Sequence, residues 1–351
     1  MRSTTRRSRL GSPAALTLAV ALFAAALGAL SAAKPSAAQA QPSPSSAPAA
    51  SPIPAAAPTP APTPQPGTMP AVLADSKPTD WAPLDPENTL YVELATGRVV
   101  IALAPAFAPN HVANVKTLAR QGYFDGTAVL RSQENYVVQW GDPHGEDEAK
   151  AKPFGKAQKS LTAEFDRAAK DLAFTPLADG DVYAPEVGFA GGFPAARDEK
   201  SGRAWLTHCY AMVGAGRGNT SDSGSGAELY VVIGHSPRHL DRNVTLLGRV
   251  VKGMELLTTL PRGTGGLGFY EEESQYVPLR SVRVAADVPA AERTELEVLR
   301  TDTPTFAALV DSRRTRREDW FLNKSGKIEL CNVPLPVRPA ATPAAKAAGS
   351  R

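Results

Sequence analysis

The sequence predicts a mainly β chain, a closed antiparallel β-barrel with two helices and long loops. Short runs of alternating apolar and polar residues recur between residues 89 and 285, and outside 143–206 only two stretches among them carry helical spacing. Strands and helices do not alternate in the way a doubly wound parallel sheet requires. Residues 89–94 and 98–103 alternate on either side of Ala95-Thr96-Gly97, which signals a hairpin. From 109 to 120, Val112, Val115 and Leu118 recur at helical spacing before Gly122, so an amphipathic helix with a C-terminal stop is expected there. Strands are expected at about 127–131, 135–140, 208–213, 228–233 and 244–250, a second short helix at 253–260, and a closing strand at 277–285. The intervening residues 143–206 are charged and read as an enlarged loop insertion, with one short helix around 163–170.

This barrel region is expected over 81–288, and the chain on either side of it has another character. Arg2, Arg6, Arg7 and Arg9 precede an apolar run from Ala14 to about Leu30, and Ala38-Gln39-Ala40 follows. Charged start, hydrophobic middle and small-x-small exit describe a secretory signal over 1–40, cut after Ala40, with Arg6-Arg7 hinting at twin-arginine export. The alternative is an uncleaved signal anchor. Export places the mature chain in the periplasm or outside the cell, with no membrane insertion after cleavage. Residues 41–80 are rich in Pro and Ala and are expected to form a disordered tether. The whole chain carries a formal charge of +3, but residues 1–40 hold five basic residues and no acid, so the mature chain stands at −2. A near-neutral chain gives no electrostatic reason to expect nucleic acid as a partner.

Beyond Pro289 an extension is expected to 338, with a disordered tail over 339–351. Thr303-Pro304 is a helix start, and Phe306, Leu309 and Val310 form a small apolar stripe. The run Arg313-Arg314-Thr315-Arg316-Arg317 reads as a solvated helical face, with a docking site for an acidic partner as the sharper alternative. Residues 327–331 could add one more strand. Cys209 and Cys331 could pair in an oxidising compartment, or Cys209 could be an inert buried thiol.

The most informative stretch is 131–142, Arg-Ser-Gln-Glu-Asn-Tyr-Val-Val-Gln-Trp-Gly-Asp. Arg131 stands just ahead of a short apolar strand that begins with Tyr136, carries Gln139 and stops at Gly141-Asp142. A fixed cation, an apolar platform and an amide hydrogen-bonder suit a groove for a peptide backbone. They do not suit a nucleophile, a metal or a phosphate. The stretch resembles the signature of cyclophilin-type peptidyl-prolyl cis-trans isomerases, Arg-x4-Phe-Met-x-Gln-x-Gly-Asp, with Tyr136 and Val137 in place of Phe and Met. Ala211-Met212-Val213-Gly214, Gly226-Ala227-Glu228-Leu229-Tyr230, Leu240-Asp241 and Gly248-Arg249-Val250-Val251-Lys252-Gly253-Met254 resemble further family motifs in the same order.

The resemblance implies an eight-stranded barrel capped by two helices, acting on proline-containing polypeptides as a monomer with no cofactor and no metal. It implies Arg131 and Gln139 as catalytic residues, the first aimed at the prolyl nitrogen and the second orienting the arginine and the substrate carbonyl. It implies a proline pocket of Tyr136, Val137, Tyr230 and Leu240, and pairing of substrate with the backbone at Val213 and Gly214. Glu228 stands in place of the family's glutamine, where its carboxylate is expected to pair with Arg131. Val244 replaces a histidine, Gly214 an asparagine, and His239 stands where many members have tryptophan. A peptide-binding module of the same fold with little isomerase activity is the rival reading.

Other motifs carry less. Gly214-Ala215-Gly216-Arg217-Gly218 mimics a dinucleotide loop, but no helix-forming stretch follows it. His111, Asp222 and Ser223 have a protease-like order, but Ser225 stands after Gly224 where a second glycine is expected, and His111 lies on the first helix. His144, Glu146, Asp147 and Glu148 form a contiguous acidic loop that lacks the spacing of a metal site.

Overall fold

The computed structural model describes residues 65–340. The expected signal segment, the first part of the tether and most of the expected C-terminal tail lie outside these residues. Nine strands build one antiparallel sheet: β1 (Thr89–Leu94), β2 (Gly97–Leu103), β3 (Ala128–Ser132), β4 (Val137–Gly141), β5 (Met212–Ala215), β6 (Leu229–Val232), β7 (Leu246–Lys252), β8 (Val277–Pro278) and β9 (Ser281–Val284). Their order across the sheet is β8-β3-β4-β6-β5-β7-β2-β1-β9. The closed eight-stranded barrel expected from sequence is therefore corrected to a curled nine-stranded sheet. The run 277–285 does not close a barrel as one strand. It breaks at Leu279-Arg280, and its halves pair with opposite edges, β8 with β3 and β9 with β1.

Period-two alternation sorts the residues of this sheet by face. Leu90, Val92, Ile101, Val138, Trp140, Leu229, Val231 and Val282 point inward and are buried together. Among the described residues there are four helices: α1 (Met69–Ala74), α2 (Pro109–Arg120), α3 (Met254–Thr258) and α4 (Pro304–Arg314). The expected stripe of α2, Val112, Val115 and Leu118, enters the same core. Each such side chain contributes roughly 1.5–3 kcal/mol on burial. Pro109 fits the first turn, where no partner for its missing N–H is needed, and Gly122 follows with φ at +72°.

A second core lies on the outer side of the sheet. Residues 143–206, read from sequence as a charged loop, contain a five-stranded sheet: Arg167–Ala168, Arg203–Leu206, Phe193–Asp198, Glu186–Ala190 and Thr175–Pro176, in that spatial order. The helix expected around 163–170 is absent, and Arg167–Ala168 lies in its place as an edge strand. Phe189, Ala196 and Trp205 from this sheet pack with Phe306, Leu309 and Val310 of α4, and Phe189 meets Phe306 edge-to-face at 4.9 Å. Met69, Val72 and Leu73 of α1 join them, so the expected tether is ordered from at least residue 65 because these apolar residues have a surface to cover. Trp81–Pro83, Leu296–Leu299 and Val337–Pro339 form a small third sheet. The strand expected at 327–331 is replaced by a single 3-10 turn at Leu330–Asn332. Cys209 and Cys331 are joined in a disulfide that ties the start of β5 to the C-terminal extension, 122 residues away in sequence. Among the described residues no helix is long and apolar enough to cross a membrane.

Candidate active site

The same alternation that sends Val138 and Trp140 inward sends Val137 and Gln139 to the outer face of β4. On the neighbouring strand, Leu229 and Val231 point inward and Tyr230 and Val232 outward. Register brings the outward residues into rows: Tyr230 lies opposite Gln139, and Val232 opposite Val137. On the other side of β4, a bulge between Val129 and Arg131 sets Arg131 opposite Gln139. Arg131, Gln139 and Tyr230 thus form one row across three adjacent strands.

Arg131 is half-buried and held at three of its nitrogen atoms. Nε donates to the Leu267 carbonyl at 2.7 Å, Nη1 to Gln139 Oε1 at 3.2 Å, and Nη2 to Gln133 Oε1. The guanidinium sits between two aromatic faces, 5.5 Å from the Tyr136 centroid and 5.3 Å from that of Phe269. Its pKa is lowered because burial disfavours the charge, with the Tyr136 hydroxyl opposing weakly. Among the described residues no carboxylate pairs with it.

The expected Arg131–Glu228 pair is therefore corrected. Glu228 precedes β6 and lies against Gly141, where an added Cβ would sit 2.6 Å from the Glu228 Cγ. From there it accepts a hydrogen bond from Gln139 Nε2 at 2.8 Å, so the carboxylate reaches the arginine only through the amide. Burial raises the Glu228 pKa; the Gln139 hydrogen bond opposes this, and Glu146 and Asp142 add to it. The Gly-Asp end of the motif is structural: Asp142 caps its own loop by accepting from the backbone N–H groups of His144 and Lys152 at 3.0 and 2.7 Å.

Beside this row lies an apolar cluster of Val137, Tyr230 and Val232, with Tyr136 and Val244 packed against it. Leu240 is half-buried in the turn Arg238–Leu240 and is not part of the cluster, and His239 is exposed on the same turn. Val213 points into the core of the nine-stranded sheet, and Gly214 is buried in the central strand β5. The Tyr230 ring covers Gly214 so closely that a Cβ there would meet its Cζ at 2.4 Å. Only glycine leaves room for this tyrosine, which accounts for the absence of the family's asparagine at this position.

The structure adds residues that the sequence did not single out. Tyr230 Oη bonds to His208 Nε2 at 2.8 Å, and His208 Nδ1 bonds to Asp241 Oδ1 at 2.9 Å. A carboxylate only accepts, so Nδ1 carries the proton and Nε2 accepts from the tyrosine hydroxyl. Arg238 Nε donates to Asp241 Oδ2 at 2.6 Å, and its two terminal nitrogens grip Asp181 at 2.9 and 3.1 Å. Asp181 belongs to the inserted segment and also accepts from the N–H groups of Tyr183 and Ala184. A buried spine therefore runs from the pocket floor into the insertion. Burial lowers the His208 pKa, partly opposed by Asp241, and raises that of Tyr230, so both stay neutral. Leu267, Phe269 and Gln133 around Arg131 were also missed; the glycine-rich run 263–268 was the only trace of that loop in the sequence.

Other candidates are accounted for without chemistry. His111 bonds to Glu164 at 2.6 Å, and Ser223 Oγ donates to the Thr220 carbonyl, so neither points to a nucleophile and base. In the arginine run, Arg314 grips Asp179, Arg317 pairs with Asp311, and Arg316 stacks on Phe321 at 4.8 Å.

Comparison with known proteins agrees with this geometry. A family profile described as cyclophilin type peptidyl-prolyl cis-trans isomerase/CLD matches residues 89–285, more than half of the chain. The chain is 27% identical over 181 residues to a probable peptidyl-prolyl cis-trans isomerase of Brucella suis, covering 51% of this chain and 74% of that one. It is 24% identical over 218 residues to human peptidyl-prolyl cis-trans isomerase-like 1, covering 62% of this chain and 99% of that one. The crystal structure of cyclophilin AquaCyp293 from Hirschia baltica superposes with a TM-score of 0.60 at 27% identity, covering 78% of this chain and 99% of that one. The chain belongs to the family of cyclophilin-type peptidyl-prolyl cis-trans isomerases.

Proposed function

We propose that this protein catalyses cis-trans rotation about X–Pro bonds in exported polypeptides, acting as a monomer after removal of its signal segment. The observation that carries this reading is the row Arg131–Gln139–Tyr230 beside an apolar cluster, with the arginine free of any carboxylate partner among the described residues.

Rotation about a prolyl amide faces roughly 18–20 kcal/mol because the C–N bond has double-bond character. Unaided it takes tens to hundreds of seconds. Reaching milliseconds requires on the order of 10⁵-fold acceleration, or about 7 kcal/mol. As the amide twists, the nitrogen lone pair leaves resonance and becomes a hydrogen-bond acceptor. Arg131 has five N–H donors and uses three on Leu267, Gln139 and Gln133. One N–H on each terminal nitrogen remains for the prolyl nitrogen. A hydrogen bond from a charged donor contributes roughly 1.5–3 kcal/mol, so Arg131 supplies part of the acceleration. The remainder comes from Tyr136 and Val244, the half-buried members of the apolar cluster, holding the proline ring above the buried Val137, Tyr230 and Val232, and from groups already fixed in place before the bond twists.

A protease-coupled assay on a short proline peptide tests the reading. The expected result is a cis-to-trans rate that rises in proportion to protein concentration. A rate that never exceeds the uncatalysed one, with peptide still bound, would leave the peptide-binding module instead.

A further inference from the structure

We propose that Arg249 forms the base of a second ligand site, one that takes a small apolar monocarboxylate. The site is separate from the row around Arg131 and does not depend on the isomerase reading. Arg249 lies on β7 between Ala102 of β2 and Met212 of β5. Its sequence neighbour Val250 points into the core of the nine-stranded sheet, so Arg249 projects from the outer face, the side covered by the C-terminal extension.

Only 8% of Arg249 is exposed, yet it makes no hydrogen bond and no ion pair among the described residues. Burial alone pushes its pKa down, to about 10. Arg238, the other buried arginine among the described residues, is by contrast paired with Asp181 and Asp241. The nitrogen atoms of Arg249 are not enclosed in protein, so the guanidinium is reached from the cleft and is open to a counter-charge there.

Arg249 borders a cleft of about 560 Å³ between β7 and residues 330–337, with the Cys209–Cys331 disulfide in its wall. That volume is in the range of small-molecule sites. Met212, Val251, Met254, Pro334, Leu335 and Val337 supply apolar lining. The other ionisable side chains of the lining are the exposed Lys252 and Glu255, whose charges cancel, and the phenol of Tyr210. One net positive charge matches a monoanion, and the planar guanidinium fork matches a carboxylate. The apolar walls require the remainder of the ligand to be hydrocarbon. Two sources share this chemistry, a free fatty acid and the C-terminal carboxylate of an apolar peptide.

The test titrates octanoate, N-acetyl-Leu-Leu with a free C-terminus, and the same dipeptide amidated into the full chain. Calorimetry and the thermal midpoint are read for wild type and for Arg249→Met. The expected result is binding of at least one of the two carboxylates and not of the amide. In Arg249→Met that binding weakens about 10- to 100-fold, the range for losing a charge-assisted pair. Which carboxylate binds identifies the source. A second expected result is that Arg249→Met, without ligand, melts at the same or a higher temperature, because an unpaired buried charge has been removed. The proposal is overturned if neither carboxylate binds wild type at millimolar concentration, or if both bind the variant equally well. It is also overturned if the ligand-free variant melts lower, since Arg249 would then have a partner within the protein.

Discussion

Two arginines near the same pocket have opposite surroundings. Arg131, at the front, is half-exposed and bonds only to neutral acceptors: one backbone carbonyl and two glutamine amides. Arg238, behind the pocket floor, is 3% exposed and grips two carboxylates. Their pKa values move in opposite directions. Burial lowers that of Arg131; burial also acts against Arg238, but Asp181 and Asp241 more than offset it and raise it. A cation whose field is neutralised in place can fix a structure but has little left for a substrate. A cation held by neutral dipoles keeps its charge available. On this contrast we propose that Arg238 serves stability and Arg131 chemistry.

The largest expected effect breaks the buried side of this comparison. Arg238→Ala leaves Asp181 and Asp241 buried without their shared cation and is expected to cost about 3–5 kcal/mol in denaturant-induced unfolding. Arg131→Ala is expected to act on catalysis instead. It should lower kcat/KM for a proline peptide by about 10- to 150-fold, equivalent to 1.5–3 kcal/mol, with less than about 1 kcal/mol lost in stability. If the two substitutions had similar effects on both measurements, the division of roles would fail.

The next effect concerns pH. His208 is held neutral by burial, so its folded-state pKa lies below the ordinary 6.5. The unfolded chain then binds the proton more readily than the folded one, and stability rises with pH through this window. Stability from this source is present above pH 6.5 and declines below it, by up to about 1.4 kcal/mol per pH unit. His208→Gln keeps an acceptor for the Tyr230 hydroxyl and should flatten that decline in unfolding curves taken between pH 5 and 7.

The smallest effect sharpens the front of the site. Glu228 has a raised pKa, so ionising it costs folding free energy as pH rises from its ordinary value of 4.5. Glu228→Gln removes this cost and still accepts from Gln139. It should change stability at pH 7 by less than about 1 kcal/mol in the stabilising direction. Isomerase activity should stay within about threefold, because the carboxylate reaches Arg131 only through Gln139.

What was legible in the sequence had short range. Arg131, Gln139, Gly141 and Asp142 fall within a dozen residues, and strand alternation decides which of them share a face. The α2 stripe was readable for the same reason. The second core was not. Its strands are two to six residues long, rich in alanine and broken by turns, and its partners come from residues 69–73 and 306–310. Asp181 and Arg238 are 57 residues apart, and no local pattern links them. The expected pairing of Glu228 with Arg131 rests on the position of the family's glutamine, which Glu228 replaces. The register against Gly141, a tertiary feature, sends it to Gln139 instead. The barrel closure failed on a similarly small feature, the break at Leu279-Arg280 inside a run that alternates well enough to pass for one strand.

The most direct test of the central claim separates binding from rotation. NMR exchange spectroscopy on a short proline peptide, at saturating peptide, would be compared for wild type and Arg131→Ala, with the dissociation constant of each measured alongside. If Arg131 donates to the twisted amide, the exchange rate in the variant falls about 10- to 100-fold while the dissociation constant moves less than about threefold. Equal exchange rates in the two proteins would contradict the account.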